Sequence, residues 1–450
     1  MKDRAVFRSS LALSSALAAF ALAGSGAFAA TLNVVKNLCY PGTSCSGMPG
    51  TAQGQGMVGN LAGDFFGITA DGGAYGHGQV FKLAKSGSSY SFVPIYDFCP
   101  SSGCSDGSAP VGKLIVDTAG AVYGVTAAGG GCTPLPNGCG TIFKLAPNGA
   151  GTIYTLTTLH TFCSSGSTCP NGSTPSGGLT YDGDPGALYN SLLPLYGTVA
   201  NGGANAHGAV FKYSPSTSPA TLSTIYSFCP STGCADGEEP NSLIAGGSGI
   251  LYGTTPRGGA DGDGNGITNG VVFELDPSGG GSYTETTLWQ FCATSGCSDG
   301  IDPGGQMAIG STGKLLGVTV FGGANGDGTI FRVTPNGGSS TESVRYDFCS
   351  AGGAACGDGA EPRGGLVADG NGAFFGTTAF GGHRLSPGGT VFKWDGAALT
   401  TVYAFCPTTI GCSDGSLPQN GVALDSSGNA YGTTTKGGTN SGGVVFQLIP

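Results

Sequence analysis

Charge is scarce in this 450-residue chain, with Asp, Glu, Lys and Arg together making up 10% of it. Lys and Arg number 17 against 27 Asp and Glu, so nothing resembles a basic footprint for phosphate backbones, and nucleic acid is not an expected partner. Four histidines and two tryptophans leave little material for metal centres or imidazole catalysis. No phosphate-binding loop or metalloprotease helix is written in the sequence. Long apolar runs are also missing. Leu11 to Ala23 is too short to span a bilayer, follows Lys2, Arg4 and Arg8, and precedes Ala27-Phe28-Ala29. Residues 1–29 therefore read as a signal peptide, and the protein is expected in the periplasm or outside the cell, with no transmembrane segment after cleavage. What remains carries 14 basic and 26 acidic residues, a net charge of −12.

Glycine, by contrast, occurs 88 times and recurs in register. Seven times a strand carrying an aromatic or aliphatic residue before Gly leads to Gly-Gly, a variable loop, a strand of the Val-Phe type and an aromatic strand. The anchoring glycines are Gly67, Gly124, Gly197, Gly253, Gly317, Gly376 and Gly432. A spacing of roughly 55–75 residues with four short strand signals per unit is the signature of a propeller blade. In residues 364–406, Gly365–Asp369 reads as strand A, Ala373–Thr378 as B, Thr390–Trp394 as C and Thr400–Phe405 as D.

The chain ends are out of phase with the repeat. Thr31–Cys39 is a D-type strand with nothing before it, and Gly421–Leu448 supplies A, B and C with no D after them. The expected fold is all-β: residues 30–450 form a single seven-bladed β-propeller of four-stranded blades, closed by the N-terminal strand joining the last blade. An open β-solenoid is the alternative, but it has no use for the offset. Alternating strand direction puts the D-to-A and B-to-C connections on one face and the A-to-B and C-to-D turns on the other. The first face gathers the variable loops and is the expected functional surface. The second has short turns, with one longer insertion, Gly183 to Pro194.

The 16 cysteines fall into local pairs: Cys39/Cys45, Cys99/Cys104, Cys132/Cys139, Cys163/Cys169, Cys229/Cys234, Cys292/Cys297, Cys349/Cys356 and Cys406/Cys412. Seven pairs sit just after strand D, and behind a signal peptide this regularity points to disulfides in an oxidising compartment. Zinc is the rival reading, disfavoured by the variable spacings and the shortage of histidine.

The seven [Tyr/Phe/Leu]-Gly-x-x-x-x-Gly-Gly units, the Gly-x-Val-Phe-Lys-Leu strands such as Gly78 to Leu83, and the Tyr-x-Phe strands carry a resemblance. The chain resembles the GloVer tandem repeat of bacterial exported proteins with a choice of anchor. The likeness covers nearly all of residues 30–450. It implies an extracytoplasmic repeat protein and no catalytic residues.

Candidate sites follow from the turns. Asp-Gly-x-x-Pro recurs at Asp106, Asp236, Asp299, Asp358 and Asp414, and such turns ordinarily hydrogen-bond backbone. With Glu238, Glu239, Asp302 and Glu361, the residues Asp236, Asp299 and Asp358 form a candidate binding sector attractive to cations or cationic groups. Asp261, Asp263 and Asn265 resemble the start of a calcium loop but lack its twelfth carboxylate, so a polar turn competes with a Ca2+ site. His77, His207 and His383 fall in separate blades, and His160 takes a strand-D packing position. Thr69, Thr126, Thr255, Thr319, Thr378 and Thr434 suit strand propensity. Three functions remain open: a monomeric, non-catalytic propeller binding a glycan or envelope component, a structural or adhesive envelope protein, and a secreted hydrolase or lyase using carboxylates at the channel mouth. No resident cofactor is expected beyond the Ca2+ candidate.

Overall fold

β-Branched and aromatic strands joined by Gly, Asn and Asp turns fold each repeat into one antiparallel sheet, and seven such sheets form the molecule. The structure is a computed structural model and describes residues 30–39, 56–131, 139–163, 169–183, 188–259, 269–350, 356–383, 388–407 and 411–450. Every regular element among them is a strand. Blade 5 shows the pattern: strand A is Ile301–Ile309, B is Leu315–Phe321, C is Thr329–Thr334 and D is Thr341–Asp347. The strands pair in that order from the axis outward.

The seventh sheet joins both parts of the chain. Thr31–Cys39 pairs antiparallel with Ser441–Ile449, from Thr31 opposite Ile449 to Cys39 opposite Ser441. It also reproduces a detail of the other six D strands. In each, the ladder shifts beside the strand-C Phe, as between Ile330 and Phe331, so Arg345 is skipped. The N-terminal strand has the same bulge, between Val34 and Lys36. It is therefore a D strand in geometry as well as position.

Two contacts repeated around the ring explain the sequence pattern. The strand-B glycine lies under the ring of the strand-C Phe opposite: a Cβ on Gly317 would sit 2.4 Å from Phe331 Cζ, and Gly67, Gly197 and Gly376 meet Phe81, Phe211 and Phe392 at the same distance. Only hydrogen fits there. The last Phe of each D strand then packs edge-on against that strand-C Phe of the next blade, as in Phe98–Phe143, Phe228–Phe273, Phe291–Phe331 and Phe348–Phe392, with centroids 5.0–5.2 Å apart. Where the ring closes, Leu38 takes the place of that Phe and packs in the cluster holding Phe81. These side chains are fully buried, and each contributes about 2–3 kcal/mol of transfer free energy.

Strand A departs from the sequence reading. In blade 6 it begins earlier, at Ala360–Pro362, breaks, and resumes at Val367–Ala368. The break comes where neighbouring A strands touch backbone to backbone: a Cβ on Gly365 would lie 2.6 Å from Gln306 N, and one on Gly305 2.4 Å from Gly365 N. Blades 2 and 5 shift register at the same level, between Val111 and Ile115 and between Gly304 and Ala308. The insertion beyond Gly183 is not a loose loop where it is described. Tyr189 is fully buried, its amide donates to Val116 O at 3.1 Å, and its ring packs on Tyr123.

Candidate functional site

The Asp-Gly turns act as clasps. Asp236 Oδ2 accepts from the Tyr226 hydroxyl at 2.8 Å and the Cys229 amide at 3.0 Å. Asp299 takes the Trp289 indole at 3.0 Å and the Cys292 amide at 3.1 Å, and Asp358 takes the Tyr346 hydroxyl at 2.7 Å and the Ser350 amide at 3.0 Å. Asp106 and Asp414 repeat the pattern with Tyr96 and Tyr403. The strand-D aromatics are thus packing residues with a polar tip bound to the turn, and burial raises the hydroxyl pKa of Tyr346 to about 12. Between blades 2 and 3 His160 replaces the aromatic and Asn171 the aspartate. His160 Nε2 is buried without a hydrogen bond, and burial lowers its pKa.

The repeated threonines also do more than favour a strand. Thr319 Oγ1 donates to Phe321 O at 3.1 Å and accepts from the Thr329 amide at 3.1 Å, and Thr378 does the same with Phe380 O and the Thr390 amide. This locks the end of strand B to the start of strand C and fixes the residue just before Gly-Gly.

Three residues onward from each clasp aspartate, the residue before Pro adopts a left-handed backbone: φ is 56° at Glu239, 58° at Asp302 and 53° at Glu361. That conformation costs about 1–2 kcal/mol for a side-chain-bearing residue. It is held by a hydrogen bond across the blade seam, from Glu239 N to His207 O (3.0 Å), Asp302 N to Asn269 O (3.1 Å) and Glu361 N to Asp327 O (3.0 Å). The following Pro packs on a glycine of the preceding blade, as Pro303 on Gly270. Because strand A is innermost, these side chains stand at the channel mouth on the disulfide face.

Blades 4, 5 and 6 gather a mixed cluster there. Glu239 pairs with Arg257 at 3.3 Å and Glu361 with Arg363 at 2.7 Å. Asp302 lies between them: burial raises its pKa, while Arg363 and Arg257 pull it back. The Arg363 guanidinium stands 5.7 Å from the Phe321 ring centroid. Phe321 and the matching Phe380 are 38% and 37% exposed, unlike the fully buried phenylalanines of the seams. Glu238 turns instead to the preceding blade, with its Oε2 2.7 Å from His207 Nδ1. The structure therefore brings Glu239, Asp302 and Glu361 together, sets Glu238 beside them, and commits Asp236, Asp299 and Asp358 to clasps. The sequence reading missed Arg257, Phe321, Phe380 and Arg363. The signal was available: the residue before Gly-Gly runs Asp71, Ala128, Asn201, Arg257, Phe321, Phe380, Lys436 inside an otherwise repeated frame.

A family profile described as the Gloeobacter/Verrucomicrobia repeat matches residues 194–446, more than half of the chain and all of this cluster. The chain belongs to that repeat family. No curated protein sequence matches it. Among solved structures, this Gloeobacter/Verrucomicrobia repeat protein is similar to a PQQ-bound aldose sugar dehydrogenase of Streptomyces coelicolor. Identity is 11% and the TM-score 0.41, over 78% of this chain and 92% of that one. It is also similar to a Trypanosoma rangeli sialidase, at 10% identity and a TM-score of 0.44, over 93% of this chain and 59% of that one. Likenesses this distant carry no argument about activity.

The Gloeobacter/Verrucomicrobia repeat protein has six described disulfides: Cys99–Cys104, Cys163–Cys169, Cys229–Cys234, Cys292–Cys297, Cys349–Cys356 and Cys406–Cys412. Cys39 and Cys139 are disulfide-bonded too, while Cys45 and Cys132 lie outside the described residues. Disulfides in this number suit an oxidising extracellular or periplasmic environment. His77, His207 and Asp327 each approach one of these cysteine pairs closely enough to share a metal ion, yet the sulfurs are oxidised and offer no thiolate. Asp261, Asp263 and Asn265, like residues 1–29, lie outside the described residues. No helix among the described residues is long and apolar enough to cross a membrane.

Proposed function

We propose that this repeat protein is an exported, monomeric, non-catalytic propeller that recognises a glycan of the envelope or surroundings through the channel mouth of blades 4–6. One observation carries the reading. Phe321 and Phe380 expose their rings on a scaffold that buries its other repeated phenylalanines, and they stand beside Glu239, Asp302, Glu361, Arg257 and Arg363. An apolar ring face stacks on the C–H face of a sugar, while fixed carboxylates and guanidinium groups take its hydroxyls. Ion pairing of Glu239 and Glu361 favours recognition over proton transfer, because a paired carboxylate is a poor base.

Purified residues 30–450 on a glycan and cell-wall array should retain a defined saccharide without turnover. Phe321→Ala and Phe380→Ala should each weaken that binding about fivefold to tenfold, given roughly 1 kcal/mol per lost stacking contact. Unchanged retention by the double variant would overturn the reading.

A secreted hydrolase or lyase is the second reading, and Asp302 favours it. Burial pushes its carboxyl up against the opposing pull of Arg363 and Arg257, in the direction a general acid requires. Release of product from any polysaccharide, abolished by Asp302→Asn, would replace recognition by catalysis.

A further inference from the structure

The opposite end of the channel carries a second feature, which does not rest on the reading above. At the waist of the ring, each strand A has one residue just before its first buried apolar side chain. These residues are Gly56, Lys113, Gly178, Gln306, Gly365 and Gly421, and blade 4 is one residue shorter there, running from Pro240 to Leu243. Four of the six are glycine because adjacent A strands meet at this level. A Cβ on Gly178 would lie 2.4 Å from Lys113 N, and one on Gly56 3.0 Å from Gly421 O. The frame asks for no side chain here, yet blade 2 supplies lysine.

Lys113 projects into a cavity of about 290 Å3 that it lines together with Val58, Leu114, Leu179, Tyr181 and Gln306. Those residues come from blades 1, 2, 3 and 5, so the cavity lies on the axis. Toward the turn face it adjoins a wider space of about 830 Å3 that shares Thr180 and Tyr181. The smaller cavity is near the lower end of sizes found for small-molecule sites. Gln306 is held by its Nε2, which donates to Leu243 O at 2.9 Å. Lys113 has neither a hydrogen bond nor an ion pair with the described residues. Its side chain keeps some accessible surface because the channel is hollow, but the surrounding protein desolvates the amine and lowers its pKa.

A lone amine in a mostly apolar chamber is destabilising unless a counter-ion compensates it. We infer that the turn-face end of the channel is a binding site for a small monocarboxylate with an apolar body. Its carboxylate pairs with the Lys113 ammonium, and its body packs on Leu114, Leu179 and Tyr181. An inorganic anion would satisfy the charge and waste the apolar wall. A cation is excluded by charge.

The test uses full-length mature protein with benzoate and, separately, inorganic phosphate, read by calorimetric titration and thermal midpoint at low salt. Benzoate should bind and raise the midpoint. Lys113→Met should weaken benzoate at least tenfold, the scale of one lost charge-assisted contact. Lys113→Gly serves as the second variant, since glycine is the frame's own residue here and should fold. Lys113→Arg should keep part of the affinity. Benzoate affinity in both the Met and Gly variants within twofold of the parent overturns the site. So does absence of any benzoate binding by the parent, and phosphate binding without benzoate binding overturns the carboxylate assignment. Phe321→Ala and Phe380→Ala, at the other mouth, should leave benzoate binding unchanged.

Discussion

The hydroxyl of Tyr226 donates to Asp236 across 2.8 Å, and the same carboxylate oxygen accepts the amide of Cys229 at 3.0 Å. One side chain thereby fixes the end of strand D, the start of the disulfide loop and the turn into the next blade. Asp236→Ala leaves both donors without their partner and should cost about 2–3 kcal/mol, whereas Tyr226→Phe should cost only about 1 kcal/mol. Urea denaturation of the two variants gives the comparison, and equal losses would mean that the hydroxyl, not the amide, carries the clasp.

The packing of Gly317 under Phe331 makes a sharper demand. A methyl group 2.4 Å from the ring cannot be accommodated without moving strand C, so Gly317→Ala should destabilise by about 3 kcal/mol or more. Gly149, in an open turn with nothing within 4 Å, is the control. Gly149→Ala should change stability by less than about 0.5 kcal/mol. Thermal midpoints of the two should separate clearly.

Leu38 stands at the closing seam where the other seams place phenylalanine. Leu38→Ala should lower stability by about 3 kcal/mol, and a truncation beginning after Leu38 should lose cooperative unfolding altogether. Leu38→Phe should be tolerated to within about 1.5 kcal/mol. Guanidinium titrations would expose an open ring as a truncated protein that unfolds like the parent.

Two strand-D carboxyls set a pH dependence. Burial raises the pKa of Glu285 to about 7, with Asp236 adding to it and the Thr287 hydroxyl opposing, and burial with Asp299 raises Glu342 to about 7. Between the ordinary value of 4.5 and about 7 the folded state holds more protons than the unfolded one, so stability falls as pH rises through this window. After discounting for solvent screening, each group contributes about 1 kcal/mol to that fall. Glu285→Gln with Glu342→Gln should flatten the profile of midpoint against pH. A slope unchanged from the parent would place the titration elsewhere.

Much of the architecture could be read from particular residues. The unpaired D-type strand Thr31–Cys39 announced closure, and the alternation of strands sorted the loops by face. Strand A was harder, because the glycines that press A strands together also erase the apolar alternation that marks a strand. The clasps were half visible: Asp-Gly turns are ordinary backbone binders, and nothing local ties Asp236 to a tyrosine ten residues earlier. The mouth cluster depends on contacts between blades, such as Asp302 with Arg257 and Arg363, which no local spacing encodes. Lys113 was overlooked because a single lysine in a strand looks like a solvated one. Only the ring turns it inward.

The pairing of Thr31–Cys39 with Ser441–Ile449 sets a timetable for assembly. A polypeptide that emerges amino end first must leave its opening segment without a mate until its final turn has been made. Early blades can form locally, but the lock on the whole circle arrives last, and every incomplete chain carries two raw edges that a neighbour could capture.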